Sequence, residues 1–207
     1  MHSVVLASED ALSEAVGQRL IEEAGSDLVV TQWLRRRGFG YLRSRIRNFC
    51  ELARRTPVLL LTDLDRAECP ATLIADWLCR DVMPRQLLFR VAVHQVESWL
   101  LADQDGIARL LKVSVRQLPR HPDTLPDAKQ SLLQLAQRAP RAVREALVAE
   151  SGATAAQGLG YNSILTNFVR TQWDPSRAMH RSNSLARTRM RLTELAANIE
   201  QARVPRF

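Results

Sequence analysis

Carboxylates stand at two places where an apolar run of this 207-residue chain stops: Glu9 and Asp10 after "SVVLAS", and Asp63 and Asp65 after "PVLLLT". Along an extended chain residues i and i+2 point to the same side, so Asp63 and Asp65 are expected to converge at the tip of the run. Two carboxylates that close repel unless a proton or a cation separates them. On this pair alone, one aspartate could equally cap the next helix and the other be solvated. The recurrence at Glu9 favours a shared site. If the two runs are neighbouring parallel strands, Glu9, Asp63 and Asp65 meet at one edge, where an oxygen-only ligand set suits a hard divalent cation, Mg²⁺ or Mn²⁺. A further acid, Glu97 in "VAVHQVESWLLAD", follows another apolar run and could join them.

The elements that must position these acids are legible in outline. "SVVLAS", "DLVVTQW", "PVLLLTD" and "QLLFRVAVH" read as strands. Between them, "EDALSEAVGQRLIEEAG" carries Leu12, Ala15, Val16, Leu20 and Ile21 at helical spacing, with Gly25 as its stop. A second amphipathic helix is expected with Leu42, Ile46, Phe49 and Leu52 on one face. A third opens at Pro70, which suits a first turn, and "QVESWLLADQDGIARLL" continues as helix after the fourth strand. This alternation indicates an α/β fold, a Rossmann-like, mostly parallel sheet flanked by helices, over residues 1–112. In such sheets ligands bind at the C-terminal edge of the strands. From 113 to 207 only helical segments and small-residue loops are expected, a helical C-terminal extension packed on the core.

The balance of 29 basic and 22 acidic residues gives a net charge of +7, and all the basic residues but Lys112 and Lys129 are Arg. Arginine matches phosphate bidentately, which makes DNA or RNA a reasonable partner. The segment holding Arg35, Arg36, Arg37, Arg43 and Arg47, entered through Gly38 and Gly40, is the candidate clamp on a nucleic-acid backbone; a solvated helix face remains the open alternative for Arg43 and Arg47, which are i,i+4 neighbours. His94, at the end of the fourth strand, reads as a hydrogen-bonding residue and Trp99 as core. Cys50, Cys69 and Cys79 are odd in number and lack C-x-x-C spacing, which excludes a disulfide framework and a zinc knuckle. No apolar stretch reaches membrane-spanning length, and "MHSVVLASED" lacks the features of a signal peptide, so a cytoplasmic protein with no membrane partner is expected.

Three families place acids in this way. Haloacid-dehalogenase-type phosphatases end a strand in D-x-D-x-T/V, but Ala67 stands where the hydroxyl or Val belongs. Response-regulator receivers need a Lys after a fifth strand, whereas both lysines here fall in the helical region. The Toprim (topoisomerase-primase) pattern is a glutamate after the first strand and D-x-D after a later one, which Glu9 in "VVLASEDALSEAV" and Asp63 and Asp65 in "VLLLTDLD" match. With "GFGYLRSRIRNFCELAR", "FRVAVHQVESWLLAD", "LPDAKQSLLQLA", "GLGYNSILTNFV" and "SNSLARTRMRL", most of the chain resembles a bacterial family of Toprim-like proteins, distantly similar to the OLD-type nucleases of phage defence. Asp10 stands where the Toprim glutamate is usually followed by Gly. The resemblance implies a Toprim-like sheet and Mg²⁺- or Mn²⁺-dependent cleavage of phosphodiester bonds. Glu9 would be general acid/base or share a metal, Asp63 and Asp65 would hold the metal, and Glu97 would be an additional ligand or orient one. It also implies a nucleic-acid substrate, and a protein partner such as an ATPase. The alternative is a catalytically inactive binding or assembly module of a defence complex.

Overall fold

The apolar runs that end in acid are strands. β1 (His2–Ser8), β2 (Leu28–Arg35), β3 (Val58–Asp63) and β4 (Leu87–Ala92) form one all-parallel sheet in the order β2-β1-β3-β4. The computed structural model describes residues 1–25, 27–35, 39–79, 81–150 and 155–201. β1 is buried from Val4 to Ser8 and β3 from Val58 to Thr62, as strands covered on both faces must be. β2 lies at a sheet edge, and its polar half, Thr31 to Trp33, is exposed. The fold is α/β and Rossmann-like, with every strand parallel rather than most of them.

α1 (Ala11–Ala24) returns the chain from β1 to β2 and buries Leu12, Ala15, Val16, Leu20 and Ile21, the residues whose spacing marked it as amphipathic. Gly17 faces β1: a Cβ there would stand 2.6 Å from a methyl of Leu6, so a larger residue would force the Leu6 side chain to move. The single helix expected over Leu42–Leu52 is two, α2 (Phe39–Ser44) and α3 (Ile46–Leu52). At the break, the Ser44 hydroxyl donates to the carbonyl of Tyr41 at 2.8 Å, and the Arg45 N–H is shared between Tyr41 and Leu42. A serine that bonds back to its own turn competes with the helix ladder. Leu42, Ile46 and Phe49 are buried in spite of the break. α4 (Pro70–Leu78) starts at Pro70, and the Cys69 thiol caps it by accepting the N–H of Thr72.

The chain divides into two compact units, residues 1–91 together with the described residues from Ala186 onward, and Ala92–Leu185. The boundary expected near residue 112 therefore falls inside the second unit. The reason is α5 (Val96–Ala102), buried at all of its residues, which is the central helix of the second unit and packs against α7 (Ala128–Ala136) and α10 (Pro175–Ala178). The helix expected to run on from it stops at Asp103, whose carboxylate caps α6 (Gln104–Leu111). α8 (Arg141–Leu147) and α9 (Tyr161–Thr171) complete this unit, and α11 (Asn183–Gln201) begins in it and continues in the first. Beyond residue 113 the described residues contain no strand, only an isolated bridge between Val148 and Gln157. No helix among the described residues is long and apolar enough to cross a membrane.

Candidate active site

The strand order fixes where a ligand can enter. From β1 the chain moves outward to β2, then crosses to the other side of β1 to lay down β3 and β4. With right-handed crossovers, the connections leaving β1 and β3 go to opposite faces of the sheet. The C-terminal ends of β1 and β3 are therefore the topological switch point, the place at which open α/β sheets bind ligands. Glu9 follows β1 there, and Asp63 ends β3.

The sheet register brings them together. Ser8 is paired with Leu61, and one step further sets Glu9 opposite Thr62. One carboxylate oxygen of Glu9, Oε1, accepts both the Thr62 hydroxyl and, at 3.1 Å, the Asp63 backbone N–H. Glu9 thus ties the tip of β1 to the tip of β3. Thr62 is fully buried, whereas Glu9 and Asp63 are half-buried. Burial pushes the Glu9 carboxyl above the ordinary glutamate range. The two hydrogen bonds pull the other way, and the negative charges of Asp65 and Asp10 raise it further.

Asp65 reaches this edge by a different route from the one its spacing suggested. β3 ends at Asp63, Leu64 turns into the core, and the Ala67 N–H closes a turn onto the Leu64 carbonyl. Asp65 itself is left-handed, with φ 48°. The alternation of an extended strand therefore does not apply to the pair; aspartate tolerates this conformation better than most residues. Asp65 is exposed as a residue, yet partial desolvation of its carboxyl outweighs the charge of Arg66 and raises its pKa. Asp10 is the N-cap of α1, accepting the Ser13 N–H at 2.8 Å. That role for an aspartate before a helical pattern was available from the sequence, and it explains how Asp10 is accommodated in the turn.

The other expected residues lie elsewhere. Glu97, in the second unit, is buried in the first turn of α5, and its Oε1 accepts the Tyr161 hydroxyl at 2.8 Å. The Lys129 ammonium stands 5.1 Å from the centre of the Tyr161 ring. Arg43 pairs with Asp76 at 2.9 Å and Arg47 with Asp81 at 3.8 Å, so each is on a separate short helix and has an acid of its own. Arg35 closes β2 opposite Ser8, which brings its own backbone to the same sheet edge as Glu9. Arg36 and Arg37 lie outside the described residues. His94, beyond β4, is left-handed, with φ 55°.

Among the described residues no three His, Cys, Asp or Glu side chains stand together closely enough to enclose a cation. The donors at the switch point nevertheless fit a hard divalent cation in kind and in charge. They are carboxylates, and the charges acting on Glu9 are negative. Mg²⁺ is commonly held by one or two carboxylates, with water and substrate phosphate completing its shell.

Fold and site define an α/β protein with carboxylates at the switch point of a parallel sheet. The chain belongs to the family described as a domain of unknown function, DUF4276, which matches residues 7–149 and so includes Glu9, Asp63, Asp65 and Glu97. No curated protein and no solved structure matches it.

Proposed function

We propose that the protein is a metal-dependent enzyme that cleaves phosphodiester bonds of nucleic acid. The observation that carries this reading is the Glu9 carboxylate, held by Thr62 and the Asp63 N–H at the switch point, with Asp65 close enough for its charge to be felt there. One or two of the carboxylates of Glu9, Asp63 and Asp65 at a time would hold Mg²⁺ or Mn²⁺, with water and substrate completing its shell; when bound it polarises a phosphate and lowers the pKa of water. The chain's own part is to fix the Glu9 carboxylate through Thr62. It also leaves the second oxygen of Glu9 and the Asp65 carboxyl for ligand or proton. Glu9, whose proton affinity burial raises, suits a group that takes or gives a proton. A non-catalytic binding module is favoured by one feature, that Glu9 Oε1 already serves two hydrogen bonds within the protein.

Plasmid and single-stranded oligonucleotides incubated with Mg²⁺ or Mn²⁺ separate the two readings. Cleavage is expected from the wild type and is expected to be lost in Glu9→Gln, Asp63→Asn and Asp65→Asn. Glu97→Gln belongs in the same set, since the reading makes Glu97 an additional ligand or an orienting residue. Metal-dependent cleavage that survives in Glu9→Gln and Asp63→Asn refutes the site. Salt-sensitive binding with no cleavage under any of these conditions supports the module instead.

A further inference from the structure

Three arginines of the first unit converge without an acid to neutralise them all. Arg90, the fourth residue of β4, is half-buried, and its Nε–H donates to the Thr188 hydroxyl of α11 at 3.4 Å. That bond sets the guanidinium beside the turn of α11 that carries Arg187 and Arg191. These two are i,i+4 neighbours, an arrangement of like charges that destabilises a helix unless an anion intervenes. Burial and the charges of Arg191 and Arg187 all press the Arg90 pKa downward. Arg191 has a partial partner in Glu194, at 2.5 Å. Next to the cluster Arg85, Leu88, Arg191 and Glu194 line an open cleft of about 350 Å³. Leu88 and Arg90 share one face of β4, so cleft and cluster are continuous along the strand.

We infer that Arg90, Arg187 and Arg191 form a phosphate-binding site that holds the backbone of a nucleic-acid strand. Guanidinium forks match phosphate oxygens bidentately, and a phosphodiester among the three removes the repulsion that the protein leaves in place. Arg90 is the fourth of the six residues of β4, and the cleft leads from it toward Arg85, on the N-terminal side of the strand. Two strand spacings, about 10 Å, separate β4 from β1 across the sheet, and a run of several nucleotides covers that span together with the distance along the strands. The inference takes its ligand from the proposed function, but its test does not depend on cleavage.

The measurement is fluorescence anisotropy of a labelled single-stranded oligonucleotide in EDTA, over a series of salt concentrations. Arg187→Glu with Arg191→Glu changes exposed residues and is expected to weaken binding about tenfold or more and to reduce the salt slope by about 0.7 for each phosphate that the protein no longer neutralises. Arg116→Glu with Arg141→Glu changes the net charge equally at exposed sites in the second unit and is expected to leave affinity within about twofold. Equal losses in the two double variants would overturn the inference, as would unchanged binding in the first. Stabilisation of the wild type by pyrophosphate, absent in the first variant, with no oligonucleotide binding by either, would overturn the nucleic-acid assignment in favour of a small-anion site. Binding through these arginines without cleavage in any metal refutes the proposed function and leaves this site standing; metal-dependent cleavage with unaltered affinity in the first variant does the reverse.

Discussion

Thr62→Val tests whether the held carboxylate of Glu9 matters. The substitution replaces a fully buried hydroxyl by a methyl of nearly the same size, and it removes one of the two donors on Glu9 Oε1 while leaving the Asp63 N–H at 3.1 Å. A hydrogen bond to a charged group contributes about 1.5–3 kcal/mol, and half-burial of Glu9 places the effect toward the lower end. If chemistry needs an ionised and oriented Glu9, the rate at neutral pH should fall about tenfold to a hundredfold. Global stability should fall by no more than about 1.5 kcal/mol, the lower end of that range, because Glu9, the group left short of a partner, is only half-buried. The pH profile carries the sign. The Thr62 bond lowers the Glu9 pKa, so its loss raises it, the acid limb of the rate profile moves to higher pH, and part of the missing rate returns on the alkaline side. Cleavage rates from about pH 6 to 9 and urea unfolding read both quantities. An unchanged rate with an unchanged acid limb would refute the role given to Glu9; a uniform loss at all pH values would show that Thr62 only supports the fold.

Glu9→Gln should stabilise the protein at neutral pH. The folded protein holds the Glu9 proton more tightly than the unfolded chain does, so wild-type stability falls as pH rises from the ordinary glutamate pKa through the raised folded value, and the cost is complete above it. The gain of the variant should appear across that window, persist to neutrality and vanish below the ordinary pKa; denaturant melts showing a less stable variant at pH 7 than at pH 4 would contradict it. Asp103→Ala should cost about 3–5 kcal/mol. Its fully buried carboxylate accepts Arg177 Nε at 2.9 Å and Nη2 at 2.8 Å, the Gly106 N–H at 3.1 Å and the Asp174 N–H at 2.9 Å. At about 2–4 °C per kcal/mol, thermal unfolding should shift down by about 6–20 °C, and a loss under about 1 kcal/mol would show that water replaces the network.

The parallel sheet was legible because its strands are short aliphatic runs separated by amphipathic helices, and the Glu9–Asp63 pairing followed from two such runs ending in acid. What did not follow were features decided by single polar residues. Ser44 and Asp103 each break an apolar helical pattern through a hydrogen bond or a cap, and periodicity counts apolar positions only. Thr62 lay in plain sight in "LLLTDLD", but its partnership with Glu9 needs the pairing register. The turn at Leu64 removed Asp65 from the strand for a similar reason: the apolar residue between the two aspartates goes to the core, and the chain bends to let it. The arginine cluster was hidden because Arg90 and Arg187 are nearly a hundred positions apart in sequence and α11 reads by itself as a solvated helix.

The two charged regions of the first unit pose opposite problems. At the switch point the sheet holds a glutamate whose ionisation is opposed by burial and by two neighbouring acids. At β4 and α11 it holds an arginine whose ionisation is opposed by burial and by two neighbouring bases. Each arrangement lowers stability in isolation, and apolar or neutral residues at Glu9 and Arg90 would remove both penalties. A nucleic-acid strand accompanied by a divalent cation would supply the missing sign to each, its phosphates to the arginines and the metal to the carboxylates. The proposed pairing of ligand and metal therefore predicts coupling. Oligonucleotide should tighten Mn²⁺ binding to the wild type, Arg187→Glu with Arg191→Glu should weaken that enhancement, and Glu9→Gln should abolish it. By linkage the same factor must appear when Mn²⁺ is held fixed and oligonucleotide is titrated. Metal and oligonucleotide affinities that are independent of one another would refute a common substrate bridging the two regions.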